Sequence, residues 1–183
     1  MTDGGTLHGV FVRHRHVVVF GAQRAFGHRV VEALLALGAH VIAVGPLRTE
    51  LEALRAEMRQ HHNLHTAECS SDRDGPVRLL AGALRRGHVD AVVFVGDRHE
   101  ATRAEEEALW RAVADVNDDP SRNAETSLAL VVARPAASAH EALAQHGETR
   151  DVEPILYDPA DPAPAVSRML MCLSSPRAER ARP

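Results

Sequence analysis

The sequence contains no lysine, and all 21 of its basic residues are arginines. This absence excludes a phosphate-binding loop of the P-loop type, Schiff-base chemistry and a lysine general base. Arginine does not take over these roles, because its pKa is much higher than that of lysine and its guanidinium is a rigid, planar fork. The composition therefore limits the reactions open to this protein without limiting its fold.

Cysteine is also scarce. Cys69 and Cys172 sit in or beside apolar segments, which predicts buried thiols rather than a disulfide. No apolar run approaches the length of a membrane span, and no charged start with an apolar core precedes the first predicted strand. We therefore expect a cytoplasmic protein that does not contact a membrane.

A basic stripe is missing as well. The formal net charge is -4, the sequence pI is about 6.3, and the arginines are scattered along the chain. These values predict no nucleic-acid partner, and they indicate arginines that are solvated on the outer faces of helices.

The first part of the chain carries the pattern strand, glycine turn, helix. The apolar run 17–20 lacks polar alternation, as expected for a parallel strand buried on both faces. Gly21 permits a sharp exit, and a helix that starts at Ala25 is ended by Gly38. The N-terminus of such a helix favours a pyrophosphate, because its free N–H groups and positive dipole end lie over the strand's carboxyl edge. Gly21 and Gly27 also fit a purely structural role in turn geometry and packing.

The same alternation continues along the chain. Further strands are predicted over 41–44, 65–69, 91–95, 128–133 and 152–157, and further helices over 49–59, 76–86, 104–116, 139–145 and 164–173. This order predicts an α/β fold: a Rossmann-like, doubly wound parallel sheet with strand order 3-2-1-4-5-6. The length and a hydrophobic content of 45% fit a single domain over 1–183, with flexible ends at 1–9 and 176–183.

Two motifs within this pattern match a known family. Residues 20–27, FGAQRAFG, follow the pattern T-G-x-x-x-G-x-G with Phe in place of the Thr and Ala25 in place of the middle Gly. Residues 109–117, LWRAVADVN, are similar to D-W-x-x-x-x-x-V-N, and 144–147, AQHG, resemble the stretch before a sixth strand. On these residues the chain resembles the short-chain dehydrogenase/reductase family over 15–175, with segments missing. The Ala25 turn is similar to that of dihydropteridine reductases.

The catalytic residues of that family are missing from this chain. The resemblance implies a Ser and a Tyr-x-x-x-Lys helix after the fifth strand, in which the lysine lowers the tyrosine pKa. Here Ser138 alone lies near the family's serine, and the single tyrosine, Tyr157, ends the sixth predicted strand. Residues 94–97, FVGD, replace the family's Asn-Asn-Ala-Gly turn, and Cys69 replaces the Asp after strand three. Asn117 matches an active-site Asn of the family, and it also fits a helix C-cap in the left-handed conformation.

The end of the second predicted strand indicates which cofactor to expect. NAD-selective folds place an acidic residue there to hold the ribose 2′-OH, but this chain has GPLR at 45–48. Arg24 and Arg48 are placed to hold a 2′-phosphate through bidentate contacts, or else they are solvated. If a dinucleotide binds, we therefore expect NADP(H). The predicted cofactor-binding residues are Gly21, Gln23, Arg24, Ala25, Phe26, Gly27, Arg48 and Gly96.

A polar cluster supplies further candidates. Residues 97–100, DRHE, follow the fourth strand at the carboxyl edge of the sheet, where ligands bind in this architecture. Residues 105–107, EEE, suit an acidic helix start. The side chains from which an unorthodox active site would be built are Asp97, His99, Asn117, Ser138 and His140.

The 12 histidines raise the question of a metal site. His61, His62 and His65 place two imidazoles at i,i+4. No carboxylate or cysteine of regular metal-ligand spacing lies nearby, however, so the sequence predicts no metal site.

Three functions from different classes follow. The first is a degenerate, non-catalytic reductase-like protein that senses NADP(H) or acts as an accessory subunit, which Gly21, Gly27 and Arg24 favour. The second is an active oxidoreductase in which Asp97, His99 and His140 supply the acid. The third is an interaction module that no longer binds nucleotide, which Phe20 and Ala25 favour.

The shortened helices also predict a protein partner. In the family, the long helix after strand four and the Tyr-Lys helix cover one sheet face and build the dimer interface. Strands 91–95 and 128–133 are as apolar as fully buried strands, and exposing their side chains to water would be unfavourable. We therefore expect a homo-oligomer, or a complex with a full-length reductase relative, formed through the Trp110 helix and 138–146.

Overall fold

The computed structural model describes residues 12–70, 74–96, 100–118, 128–136 and 155–174. Within them the strands are β1 His16–Phe20, β2 His40–Gly45, β3 Leu64–Glu68, β4 Ala91–Val95, β5 Ala129–Pro135 and β6 Ile155–Tyr157. The helices are α1 Ala25–Ala36, α2 Arg48–Glu57, α3 Gly75–Arg86, α4 Glu100–Asn117 and α5 Ala163–Ser174.

The six strands form one parallel sheet in the order β3-β2-β1-β4-β5-β6. Strand β1 lies in the middle between β2 and β4, with Val18 opposite Ile42 on one side and Val92 on the other. The order reverses at this point, because the chain runs outward from β1 to β3 and then returns to β4. The predicted Rossmann-like, doubly wound sheet is confirmed.

Alternate side chains of the central strands feed two apolar layers. Val17 and Val19 of β1 pack with Leu34 of α1 on one face, where α2 and α5 also lie. Val18 and Phe20 face the other way, into a layer closed by α3 and α4. Because β1 and β4 are buried on both faces, their sequences are continuous apolar runs rather than alternating ones.

Several predicted boundaries need correction. Helix α4 begins at Glu100, four residues before its predicted start, so Glu106 lies in its second turn and does not form an acidic first turn. Neither Asn117 nor Asp118 takes a positive φ, so the predicted left-handed cap is wrong. The predicted helix over 139–145, the start of the strand over 152–157 and the ends at 1–9 and 176–183 lie outside the described residues.

The apolar face that was expected to need a partner is covered within the chain. Every residue of β4 is buried, and in β5 Leu130 and Val132 are 7% and 2% exposed. Leu109 and Val113 of α4 pack in the same apolar layer. The premise of an exposed β4–β5 face is therefore wrong, and a protein partner must be argued on other grounds.

Two smaller expectations can be compared with the described residues. Cys69 and Cys172 are free thiols; Cys69 is buried and Cys172 is half-buried. None of the described helices is both long and apolar enough to cross a membrane.

Histidines gather where the central strands begin. The rings of His16 on β1 and His40 on β2 are stacked, with centroids 4.7 Å apart. Asp90, just before β4, accepts a hydrogen bond of 2.8 Å from the backbone N–H of His16, and its other oxygen lies 3.0 Å from His88 Nε2. Burial and the neighbouring His40 lower the pKa of His16, and Asp90 opposes them in part.

The lowered pKa of His16 makes stability depend on pH. The unfolded chain binds a proton at this side chain near pH 6.5, more readily than the folded chain does. The contribution of His16 to the free energy of unfolding is therefore fully present above that pH. It is lost as the pH falls from about 6.5 through the lower pKa of the folded state. We expect His16→Gln to lose less free energy of unfolding than the wild type between pH 7.5 and 5.5, measured by urea denaturation. Identical pH dependence in both proteins would contradict this assignment.

Candidate functional site

The turn after β1 lies where the strand order reverses. Gly21 has a φ of +75°, and a Cβ built on it would lie 2.6 Å from the carbonyl oxygen of Val95. The N–H groups of Gly21 and Ala22 both donate to the carbonyl of Val44, at 3.1 and 3.2 Å. The turn is thus fixed against the ends of β2 and β4, at the crevice where doubly wound folds bind ligands.

Gly27 brings the start of α1 close to this turn. A Cβ on Gly27 would collide with the carbonyl oxygen of Gly21 and would lie 3.0 Å from Ala22 Cα. Only glycine fits this contact. Ala25 is exposed, so its methyl group is tolerated at the position where the family pattern has its middle glycine.

The N-terminus of α1 carries unpaired donors. Among the described residues no oxygen accepts a hydrogen bond from the N–H of Ala25, Phe26 or Gly27, and Arg24 at the N-cap makes no capping bond with its side chain. The first intact helical bond runs from His28 N–H to the Arg24 carbonyl at 2.8 Å. Unpaired donors at the positive end of a helix dipole are the groups with which proteins bind anions such as a pyrophosphate.

Gln23 reaches from the turn to the end of β2. Its Oε1 atom is the one buried side-chain oxygen or nitrogen without a hydrogen-bond partner in the part of the chain that the structure describes. A Cβ on Gly45 would lie 2.7 Å from this oxygen, so Gly45 makes room for the amide. An unsatisfied buried acceptor is unfavourable on its own, and a ligand hydroxyl or amine would remove that penalty.

The two arginines predicted to hold a 2′-phosphate flank this region. Arg24 Nη1 donates to the carbonyl of Val95 at 3.1 Å, which ties the turn to the end of β4. Arg48, the first residue of α2, is largely exposed and donates to Glu52 Oε1 at 2.8 Å. The hydrogen bond to Glu52, together with the negative charge of the Glu52 carboxylate, raises the pKa of Arg48, which stays charged.

A buried ion pair lies beside the fourth strand, and sequence reasoning missed it. Arg134 near the end of β5 contacts both carboxylate oxygens of Glu106 on α4, with nitrogen–oxygen distances of 2.5, 2.6 and 3.1 Å. The side chains are 12% and 7% exposed. Gly96 lies next to this pair and donates from its N–H to the Ala133 carbonyl at 2.9 Å. The sequence signal was a lone arginine in an apolar strand.

Of the remaining candidates, Asn117 and Tyr157 have described positions, and both make structural contacts. The side-chain amide of Asn117 is engaged twice by the backbone of Leu128, as donor at 3.0 Å and as acceptor at 2.6 Å, so it ties α4 to the residue before β5. Tyr157 is buried and stacks on Phe26 with centroids 4.1 Å apart. Phe26 therefore belongs to the core, and only its N–H faces the site. Asp97, His99, Ser138 and His140 lie outside the residues with a described position.

A metal centre is not formed by the histidines in the described ranges. No group of three or more His, Cys, Asp or Glu side chains there is arranged to hold a metal ion, which includes His61, His62 and His65.

No protein-family model and no curated protein matches this sequence. Solved structures do match. A metagenomic short-chain oxidoreductase in complex with NADP aligns with a TM-score of 0.56 and 17% identity, over 91% of this chain and 93% of that chain. The Pseudomonas aeruginosa RhlG/NADP active-site complex aligns with a TM-score of 0.58 and 12% identity, over 96% and 95%. A short-chain type dehydrogenase/reductase from Mycobacterium marinum aligns with a TM-score of 0.53 and 13% identity, over 72% of this chain and 59% of that chain. At these identities the likeness establishes a short-chain dehydrogenase/reductase-like fold.

The buried ion pair gives a test of the packing beside Gly96. Arg134→Met leaves the Glu106 carboxylate buried without its counter-charge, and we expect a loss of about 3 to 5 kcal/mol in the free energy of unfolding. The double variant Glu106→Leu/Arg134→Met removes both charges and should recover most of that loss. Chemical denaturation at pH 7 measures both. A double variant no more stable than the single one would show that the charges are not the cause.

Proposed function

We propose that this protein binds NADP(H) and does not catalyse the hydride transfer typical of short-chain dehydrogenases/reductases. Its role is that of a nucleotide sensor or an accessory protein. The observation that carries the proposal is the set of unpaired N–H donors at Ala25, Phe26 and Gly27, held over the Gly21 turn at the strand-order reversal. These donors match a pyrophosphate, which every nicotinamide dinucleotide contains.

The residues around the turn fit the rest of a dinucleotide. Gly21 and Gly27 keep the turn and helix free of side chains where the phosphates would lie. Gln23 Oε1, buried beside Gly45, offers an acceptor to a hydroxyl or amine of the adenosine half. These features of the chain's own residues support the binding of a dinucleotide at the Gly21 turn.

Cofactor choice follows from charge. No carboxylate occupies residues 45–48, so nothing there repels a 2′-phosphate or selects a free 2′-OH. Arg48 begins the helix after β2, and the Arg24 guanidinium donates to the Val95 carbonyl at the end of β4, so the two arginines bring positive charge to the two strands that flank the Gly21 turn. Matching structures include complexes with NADP and an NAD+-bound xylitol dehydrogenase, so they support a nicotinamide dinucleotide, and the choice of NADP(H) rests on the charges of this chain.

Three observations argue against family-type catalysis. Lysine is missing from the whole sequence, and the single tyrosine, Tyr157, lies in the core against Phe26. Asn117 holds the backbone of Leu128 through both ends of its amide. A bound NADPH would supply a hydride, but the described residues offer no tyrosine–lysine pair to supply the accompanying proton.

Calorimetric titration with NADPH, with NADH as the control ligand, tests binding and selectivity. We expect NADPH to bind more tightly than NADH, and Arg24→Ala to weaken NADPH selectively. Arg29→Ala, an exposed arginine on the same helix, serves as the matched control and should bind like the wild type. Equal affinity for the two cofactors would remove the arginines from the site, and no heat with either would overturn the proposal.

Gln23 gives a sharper test, because its effects on stability and on binding should be opposite. Gln23→Leu removes a buried acceptor that has no partner, so the ligand-free protein should keep or raise its melting temperature. The same change removes a predicted ligand contact and should weaken NADPH binding by about three- to tenfold. Unchanged NADPH affinity together with a higher melting temperature would assign Gln23 to packing alone.

We expect no catalytic turnover with NADPH. Purified protein should show no hydride transfer from NADPH to a broad panel of carbonyl compounds, measured by the loss of NADPH absorbance. Rates near about 1 per second or above would be ordinary enzyme rates and would contradict the non-catalytic reading.

A further inference from the structure

The topology gathers basic residues that are scattered in the sequence. Segments 12–16, 37–40, 58–64 and 85–90 lead into β1, β2, β3 and β4, and so all lie at the edge where these strands begin. We call these four segments the amino edge. It lies opposite the turn that carries Gly21. The arginines of the amino edge are Arg13, Arg15, Arg59, Arg85 and Arg86.

This edge has the opposite charge to the rest of the molecule. Its one acidic residue is Asp90, which is engaged by the His16 N–H and by His88. Taking the five arginines and Asp90 from the totals of 21 basic and 25 acidic residues leaves 16 basic and 24 acidic residues elsewhere. Four of the five arginines are exposed, and Arg15 is half-buried and donates to the Leu173 carbonyl at 2.7 Å.

Six histidines lie at the same edge. His16 and His40 are stacked, His14 lies 6.5 Å from His40 between ring centroids, and His88 lies on the other side of Asp90. An imidazole carries no negative charge in either protonation state, so these side chains do not oppose an anion. The histidines of the amino edge are His14, His16, His40, His61, His62 and His88.

The shape of the edge limits what it can bind. Neighbouring strands are about 4.8 Å apart, so the starts of β3, β2, β1 and β4 form a row about 15 Å long. This matches an extended peptide of about five residues at about 3.3 Å per residue. The four segments contain no Phe, Tyr or Trp on which a nucleic-acid base could stack. A long polyanion would also meet the acidic remainder of the molecule.

We propose that the amino edge is a docking surface for a short acidic segment of a partner protein. Arginine forks pair with carboxylates in bidentate geometry, and Arg59 and Arg86 lie at the two sides of the row. The surface is separate from the nucleotide site, and its test does not depend on NADP(H).

Fluorescence anisotropy with a labelled octaglutamate peptide tests the proposal. At pH 7.0 and low salt we expect saturable binding of octaglutamate, no binding of octaglutamine, and an affinity for octaglutamate that falls as salt is added. Arg59→Gln/Arg86→Gln should weaken octaglutamate binding by about three- to tenfold. The matched control is Arg29→Gln/Arg111→Gln, which removes the same charge from exposed helix faces. Circular dichroism confirms that each variant is folded.

Three outcomes would overturn the proposal. The first is no binding of octaglutamate at low salt. The second is equal weakening by the control variant, which would trace binding to net charge rather than to this edge. The third is tighter binding of a labelled octathymidylate or a 20-base-pair duplex than of octaglutamate, which would make the amino edge a nucleic-acid surface instead.

Discussion

The close approach of three backbone segments at the Gly21 turn is the constraint on which the rest of the structure depends. A side chain on Gly21 would displace the Val95 carbonyl, and one on Gly27 would displace the Gly21 carbonyl. This contact sets how near α1 starts to the end of β1. It therefore fixes where the free N–H groups of Ala25, Phe26 and Gly27 point.

The two ends of the sheet carry separate roles in this account. The carboxyl edge holds the glycine turn, Gln23 and the Glu106–Arg134 pair, whereas the amino edge holds a row of arginines and histidines. A five-residue strand such as β1 spans about 16 Å, so one ligand at each edge would not collide with the other. The two proposals together, a nucleotide at one edge and an acidic segment at the other, describe an accessory protein.

The fold was predictable from the sequence, but the electrostatics were not. Continuous apolar runs at β1 and β4 and helical spacing from Ala25 predicted the sheet order and most element positions. Strands buried on both faces are apolar at nearly every position, so the sequence shows where they lie. Glu106 was read as part of an acidic helix start, since its partner Arg134 lies 28 residues away in sequence. The basic edge was missed for the same reason: its residues come from four segments that are far apart in the sequence. Asn117 was read as a cap, whereas its amide instead holds Leu128.

Backbone NMR during titration with NADPH is the most direct test of a nucleotide site at the Gly21 turn, because it reports on the individual N–H groups. We expect the amide resonances of Ala25, Phe26 and Gly27 to shift the most on addition of NADPH, and those of the amino edge, such as His14 and His62, to stay unchanged. Resonances that stay fixed at Ala25, Phe26 and Gly27 while others move would contradict a nucleotide site at the Gly21 turn.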